Sequence, residues 1–285
     1  MNTPGPTAAP DLSPYRGRVF AVGTKHGKQH EFAPPFHRVL GAELVTPVMD
    51  TDRFGTFSGE VARTGAPADA ARAKARLAMS LTGAAYGLAS EASYGPLPGG
   101  WLGHEELLLF CDDVAGIEIV ECHRSFRVPA VGQRVSGYDE LRRPLLDGLP
   151  GQALIVRPVD GGGAIAKGIT DADALRSAIR AATAASSDGL ALVEPDLRAH
   201  HNPSRRRILS ALAERMALRL ANPCPSCSAP GFGQIDTEPG LPCRACGDAT
   251  PLPHRVIRAC AACAHRAIRP VRGAADPAHC PGCNP

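Results

Sequence analysis

Four C-x-x-C pairs close the chain: Cys224 with Cys227, Cys243 with Cys246, Cys260 with Cys263, and Cys280 with Cys283. Each pair can turn two thiolates to one side of a tight knuckle, which is half of a tetrahedral four-sulfur site. The loops between pairs hold 15 residues in the first half and 16 in the second, as in two successive zinc ribbons. Sequential pairing of the knuckles and an interleaved pairing, first with third, both fit this spacing. Four even doublets favour separate tetrahedral sites over one iron–sulfur cluster. The expectation is two structural Zn²⁺ ions, one per four cysteines, which leave no open coordination position for catalysis.

The rest of the composition sets bounds. The chain has 285 residues, 44% hydrophobic and 21% charged, with a formal net charge of +3. That is room for one sizeable core plus a small module, and no global charge demands nucleic acid or membrane. No apolar run reaches 18 residues, so no membrane span is expected. The opening "MNTPGPTAAPDLSP" lacks a basic and an apolar region of the secretory kind, and reads as a disordered tail over 1–14. Reduced thiols and a cytoplasmic location follow as expectations.

Residues 15–220 alternate apolar runs with helical patterns, the signature of an α/β domain with a mixed sheet flanked by helices. Strands are expected at 18–24, "AELVTP", 84–90, "QALIVRP" and "GLALVEP", and a hairpin about "DVAG". "EASYGPLPGG" and "VDGGGAIAKGI" read as loops, the second a candidate lid. Helices are expected over 28–40, from Pro67 to Gly83, over 138–147 and over 171–185. In the second of these, Ala71, Ala75, Ala78 and Leu81 form the apolar face. A last helix has Asn202 as N-cap and Pro203 in its first turn. "ANP" breaks it, and residues 223–285 form the zinc module. Cys111 and Cys122, on the hairpin, read as packing residues.

Lysine is rare: Lys25, Lys28, Lys74 and Lys167 stand against 27 arginines. Two of the four fall in "GTKHGKQHEF", where a strand ends in Gly-Thr and a helix begins. Free backbone N–H groups, the Thr24 hydroxyl and two compact ammonium groups there suit a phosphate. The spacing is not that of a Walker A loop. In "EPDLRAHHNPSRRR", Arg205, Arg206 and Arg207 occupy a helix's first turn, where the dipole disfavours cations and a bound anion would offset the cost. Arg198 and Arg205 are candidate phosphate ligands, and His200 or His201 a candidate acid/base or ligand.

"AVGTKHGKQHEFAP…LGAELV" and "SGEVARTGAPADAARAKARLAMSLTGAAYGLASEASYG" together resemble the inosine/xanthosine triphosphate pyrophosphatases, the Ham1 and Maf-like group. With the zinc module included, the chain also resembles an uncharacterised bacterial domain-of-unknown-function family carrying "TKHGK", "FGTFSGE" and "DLRAHHNPSRR". The pyrophosphatase resemblance implies that Thr24, Lys25 and Lys28 form a phosphate loop and that Lys74 is a second phosphate ligand. It implies that Glu91 holds a catalytic Mg²⁺ with Glu60, and that Asp50 or Asp52 replaces a missing acid. The adjacent acid pair usual in that group is absent here, since Ser90 and Ala92 flank Glu91.

The leading functional expectation is therefore a Mg²⁺-dependent hydrolase, or a non-hydrolysing binder, of a nucleotide or other phosphorylated small molecule. The alternative is a non-catalytic protein whose zinc ribbons bind RNA or a protein. Arginines are available there, but Phe232 is the module's lone aromatic for base stacking. No membrane partner is expected.

Overall fold

The computed structural model describes residues 13–55, 61, 63, 65–96, 102–126, 131–161 and 163–284. Its first unit is β–α–β: strand β1 (Val19–Val22), helix α1 (Gln29–Leu40) and strand β2 (Glu43–Val45), with β1 and β2 parallel. Gly41 ends α1 in the left-handed region, φ 65°, where a Cβ would be strained. Helix α2 (Pro67–Thr82) follows, then strands β3 (Tyr86–Pro96), β4 (Leu102–Asp112) and β5 (Ile117–Ser125). The sheet order is β2-β1-β3-β4-β5, parallel across β2, β1 and β3 and antiparallel beyond, so it is mixed as expected. Side chains alternate between its faces. Phe20, Leu108 and Phe110 pack with Phe36 of α1 and with Leu212 and Met216 farther along the chain. Ala21, Leu107 and Leu109 pack with Ala71, Ala75 and Ala78 of α2. Tyr15 is buried edge-on against Phe20, Tyr86 and Phe110, and its hydroxyl donates to Asp112 Oδ2 at 3.0 Å, which pins the start of the domain.

A second sheet departs from the single-sheet expectation. Strands β6 (Gln133–Val135), β7 (Leu154–Pro158), β8 (Ala166–Ile169) and β9 (Ala191–Pro195) pair in the order β6-β9-β7-β8, every pairing antiparallel. Between β6 and β7 lies the short helix α3 (Arg143–Leu146), and helix α4 (Ala172–Ala185) links β8 to β9. Leu175, Ile179 and Ala182 of α4 cover Leu154, Val156 and Val193 in a core of their own. Strand–helix–strand alternation reads the same in sequence whether the new strand joins the old sheet or starts another. Helix α5 (Pro203–Leu220) then returns to the first sheet, with Asn202 Oδ1 accepting from Arg205 N at 3.0 Å as the expected cap.

Other expectations change locally. The first half of "EASYGPLPGG" continues β3, because β4 offers a partner at every residue to Pro96. The helix expected over 138–147 shrinks to a 3-10 turn and the four-residue α3, with Pro144 inside its first turn. Leu81 is exposed, and Lys74 takes a buried place on the α2 face instead. Lys167 lies on β8 rather than in a loop. Cys111 is buried as expected, but Cys122 is exposed.

The C-terminal module is a three-stranded antiparallel sheet of β10 (Gly233–Pro239), β11 (Pro253–Ala259) and β12 (Arg266–Pro270). Each strand carries the chain to the opposite end of the sheet. The knuckles therefore alternate ends, and the first meets the third while the second meets the fourth. Phe232 is buried and covered by the Arg258 guanidinium 4.8 Å from its ring centroid, so it offers no platform for a base.

Candidate functional site

Two kinds of site emerge. Cys224, Cys227, Cys260 and Cys263 gather in one cluster, and Cys243, Cys246, Cys280 and Cys283 in the other. Sγ–Sγ separations are 3.8 and 3.6 Å in the first and 3.9 and 3.6 Å in the second. A tetrahedron with metal–sulfur arms of ~2.3 Å has edges of about 3.8 Å, so both clusters fit structural zinc. The N–H groups of Ala245 and Ala262 point to Cys243 Sγ (3.4 Å) and Cys260 Sγ (3.3 Å), as knuckle geometry requires. Ser228 and Gly247, each just after the second cysteine of a knuckle, share the left-handed region at φ 61° and 81°.

The other site opens where β1 stops. Beyond Val22, the edge of β3 from Ala89 onward loses its parallel neighbour. At this end of a parallel sheet ligands commonly bind. A cleft enclosing about 120 Å³ is lined there by Thr24, Lys25, Lys28, Asp52, Lys74, Glu91, Lys167, Arg198 and Arg205, with Gly23 and Ser90. All four lysines of the chain reach it. A Cβ on Gly23 would stand 2.4 Å from the Lys74 carbonyl oxygen, so only glycine lets the loop after β1 approach α2 this closely.

Most charges in the cleft are already matched. Lys74 Nζ lies 2.6 Å from Glu91 Oε2, both buried, and Arg63 Nη1 stands 3.4 Å from Glu91 Oε1. Arg198 forks onto Asp196 at 2.6–3.1 Å. Lys25, exposed, pairs with Asp50 and Asp52, which raises its pKa. Arg205 is fully buried and forks onto Glu106 at 2.7 and 2.9 Å. Burial alone would raise the Glu106 carboxyl, but the Arg205 charge outweighs it and holds Glu106 below the usual range. Arg206 likewise meets Glu31 at 2.6 Å. The anion expected to offset these first-turn arginines is therefore in large part the protein's own carboxylates.

Lys28 differs. Its Nζ donates to Ser90 Oγ at 2.8 Å and approaches Ser90 O at 3.3 Å, and no carboxylate among the described residues lies within ion-pair distance. Burial, then the nearby Arg205 charge, lowers its pKa to about 8. At the rim His26 stacks on His200, centroids 4.7 Å apart, and His200 contacts His201. Burial first, then neighbouring histidine and cationic charge, brings His26 and His200 down to about 4. His200 is thus neutral at pH 7 and ill matched to acid/base work there.

Of the residues singled out from sequence, Thr24, Lys25, Lys28, Asp52, Lys74, Glu91, Arg198 and Arg205 come together in this cleft. His200 stands beside it on His26, and Glu60 lies outside the described residues. Sequence reasoning missed Arg63, Ser90 and Glu106. Glu106 had a signal: in "HEELLLF" it shares a strand face with Leu108 and Phe110, an acid placed on a core face.

An α/β body with two sheets, a cation-lined cleft and an interleaved pair of four-cysteine clusters defines the class of protein. Residues 74–285 match the family described as a domain of unknown function (DUF6671), and the chain belongs to it. The match begins at Lys74, so it takes in Glu91, Glu106, Arg198, Arg205 and all eight clustered cysteines, while the Lys25–Lys28 loop precedes it. No curated protein and no solved structure matches the chain. Among the described residues no helix is long and apolar enough to cross a membrane.

Proposed function

We propose that this protein binds a phosphate-bearing small molecule in the four-lysine cleft, with the zinc module as a structural appendage. The observation that carries the reading is convergence: an arginine-rich chain keeps four lysines, and all four line one cavity. A compact ammonium serves a phosphate oxygen as a point charge, without the space a guanidinium fork needs. The cavity is small beside the ~300–1,000 Å³ that takes a whole drug-sized ligand, so it suits a phosphoryl group whose organic remainder extends outward. Lys28 would be the principal anchor, since its charge has no carboxylate partner among the described residues.

A nucleotide and a Ham1-like pyrophosphatase are the finer form of this reading, supported by Thr24, Lys28, Lys74 and Glu91 meeting in one place. Among the described residues, the acids that this form assigns to magnesium are already matched by cations. Glu91 is held by Lys74 and Arg63, and Asp52 by Lys25, so each would have to exchange a protein cation for the metal. Binding without hydrolysis is therefore the reading favoured.

The test is calorimetric titration of zinc-loaded protein with phosphate, pyrophosphate and nucleoside triphosphates, beside Lys28→Met, with released phosphate and pyrophosphate assayed with and without Mg²⁺. Saturable binding lost in Lys28→Met supports the cleft. Mg²⁺-dependent release, lost in Glu91→Gln, would replace binding by hydrolysis. Absence of binding by every anion sinks the proposal.

A further inference from the structure

A second cavity of about 620 Å³ borders Arg205, the partner of Glu106. Arg205 lines both spaces. The volume is that of a pocket for a small organic molecule. Its floor is an aromatic pair: Tyr94 and His104, directly opposite on β3 and β4, stack with centroids 4.3 Å apart and planes 14° apart. Leu145, Leu154 and Ile208 supply apolar walls.

Of two buried polar groups facing this space, one donor lacks a hydrogen-bond partner and the other group has only a long contact. Asn202 is 1% exposed and His104 2%. Asn202 Nδ2 and His104 Nε2 make no hydrogen bond, although His104 Nε2 stands 3.4 Å from Glu106 Oε2. Burial pushes the Tyr94 hydroxyl up to about 12, with the Arg205 charge the larger offset and the nearby Asn202 side chain a smaller one. The other end of the Asn202 amide is committed, because its Oδ1 caps α5. Nδ2 is a donor only, so what it lacks is an acceptor. Buried polar groups normally find partners, so an orphan donor at a cavity wall offers its hydrogen bond to whatever occupies the cavity, water or a ligand atom. At the mouth, Arg207 is exposed and donates to Ser204 Oγ at 3.3 Å, with no carboxylate in ion-pair distance among the described residues.

We propose that this cavity is a second binding site, separate from the lysine cleft, for a small planar heteroaromatic acid. The ring lies against the Tyr94–His104 pair, a ring nitrogen or carbonyl accepts from Asn202 Nδ2, and the carboxylate meets Arg207. The chemistry differs from that of the lysine cleft: one acceptor, one ring and one charge, in place of a phosphate held by several ammonium groups. The site stands whether or not the cleft takes a phosphate.

The test uses the full zinc-loaded chain and three probes, followed by ¹H–¹⁵N spectra. Nicotinate carries ring acceptor and charge, nicotinamide lacks the charge, and benzoate lacks the ring acceptor. Nicotinate is expected to bind most tightly and to move the Asn202 side-chain amide resonances. Asn202→Asp keeps the capping oxygen and removes the donor, and it should weaken nicotinate about tenfold. Arg207→Gln, an exposed change, should erase the preference for nicotinate over nicotinamide. His104→Phe preserves a stacked ring and should retain weakened binding, a check should Asn202→Asp fold poorly. Lys28→Met should leave nicotinate binding unchanged. No shift from any probe, full affinity in Asn202→Asp, or loss of nicotinate in Lys28→Met would overturn the proposal.

Discussion

The cysteine clusters and the lysine cleft each draw like groups to one point, but they are balanced in opposite ways. Four cysteine sulfurs within 4.8 Å of one another form a ligand set whose charge as thiolates only a metal ion would balance. In the cleft, Lys25, Lys74, Arg198 and Arg205 each have a carboxylate supplied by the fold, so the cleft persists empty. The first kind of site holds structure together, and its ligand's binding energy is folding energy. The second is held by the structure and leaves a residual positive charge at Lys28 for something else. Removing the central charge should therefore destroy one site and merely idle the other.

The largest effect expected is that of zinc removal. Structural zinc contributes on the order of 10 kcal/mol to folding of such modules. Chelation should unfold the β10–β12 sheet, seen as rapid proteolysis after Ala221, while phosphate binding by the body survives. The interleaving gives a sharper form. Cys227→Ser with Cys260→Ser should cost one bound zinc, whereas Cys227→Ser with Cys246→Ser should cost both. Zinc content measured by atomic absorption decides it, and the reverse pattern would mean sequential pairing.

Next comes the buried Lys74–Glu91 pair. Lys74→Met leaves Glu91 at 6% exposure with only the longer Arg63 contact, and should cost about 3–5 kcal/mol in urea denaturation. Adding Glu91→Leu should recover most of that loss, because two apolar groups replace two buried charges. A neutral Lys74→Met would show that the cleft is not held by this pair, and would erase the contrast with the cysteine sites.

Lys28 should show the opposite sign. Its pKa of about 8 lies below the ~10.4 of an unfolded lysine, so between those values the unfolded chain binds more protons. Stability from this group thus rises with pH from about 8 upward, and below 8 the buried charge is a cost. Lys28→Met should stabilise the body at pH 7 by about 1 kcal/mol, as the residue is only partly buried. The same change should weaken phosphate at least tenfold, the worth of a charged hydrogen bond. Wild-type affinity should fall as pH passes 8, and a profile flat from pH 7 to 9 would remove Lys28 from the site.

The two regions also differ in how far the sequence disclosed them. Cysteine spacing announces a knuckle because both ligands lie within four residues, and only the pairing waited on strand topology. The cleft draws on β1, α2, β3, β8 and the loop after β9, so its members could be suspected from their chemistry but not joined. Lys167 shows the limit. Beside three glycines it reads as loop, and only the pairing of β7 with β8 carries it to the cleft. Glu106 shows the converse: its buried face was legible, but its partner Arg205, 99 residues away, was not. The second sheet escaped notice because helix α4 joins two strands that are separated by β7, and local pattern does not say which sheet a strand enters.

The smallest effect tests the likeness of the two cysteine sites to each other. After Cys227 the chain turns through Ser228 at φ 61°, and after Cys246 through Gly247 at φ 81°. An L-residue in that region carries a cost of roughly 1–2 kcal/mol that glycine avoids. The turn is stabilised at both places by the same contact, Ser228 N to Cys224 O at 2.9 Å and Gly247 N to Cys243 O at 2.9 Å. A Cβ on Gly247 would meet no atom within 4 Å, so Gly247→Ser adds backbone strain alone. Ser228→Gly should therefore raise the module's chelator resistance slightly, by less than about 1 kcal/mol since glycine also gains freedom when unfolded. Gly247→Ser should lower it by a similar amount. Equal and opposite shifts would mean the two knuckles are mechanically alike. A Ser228→Gly variant that loses zinc more readily would show that the serine side chain supports its site in a way the glycine knuckle does without.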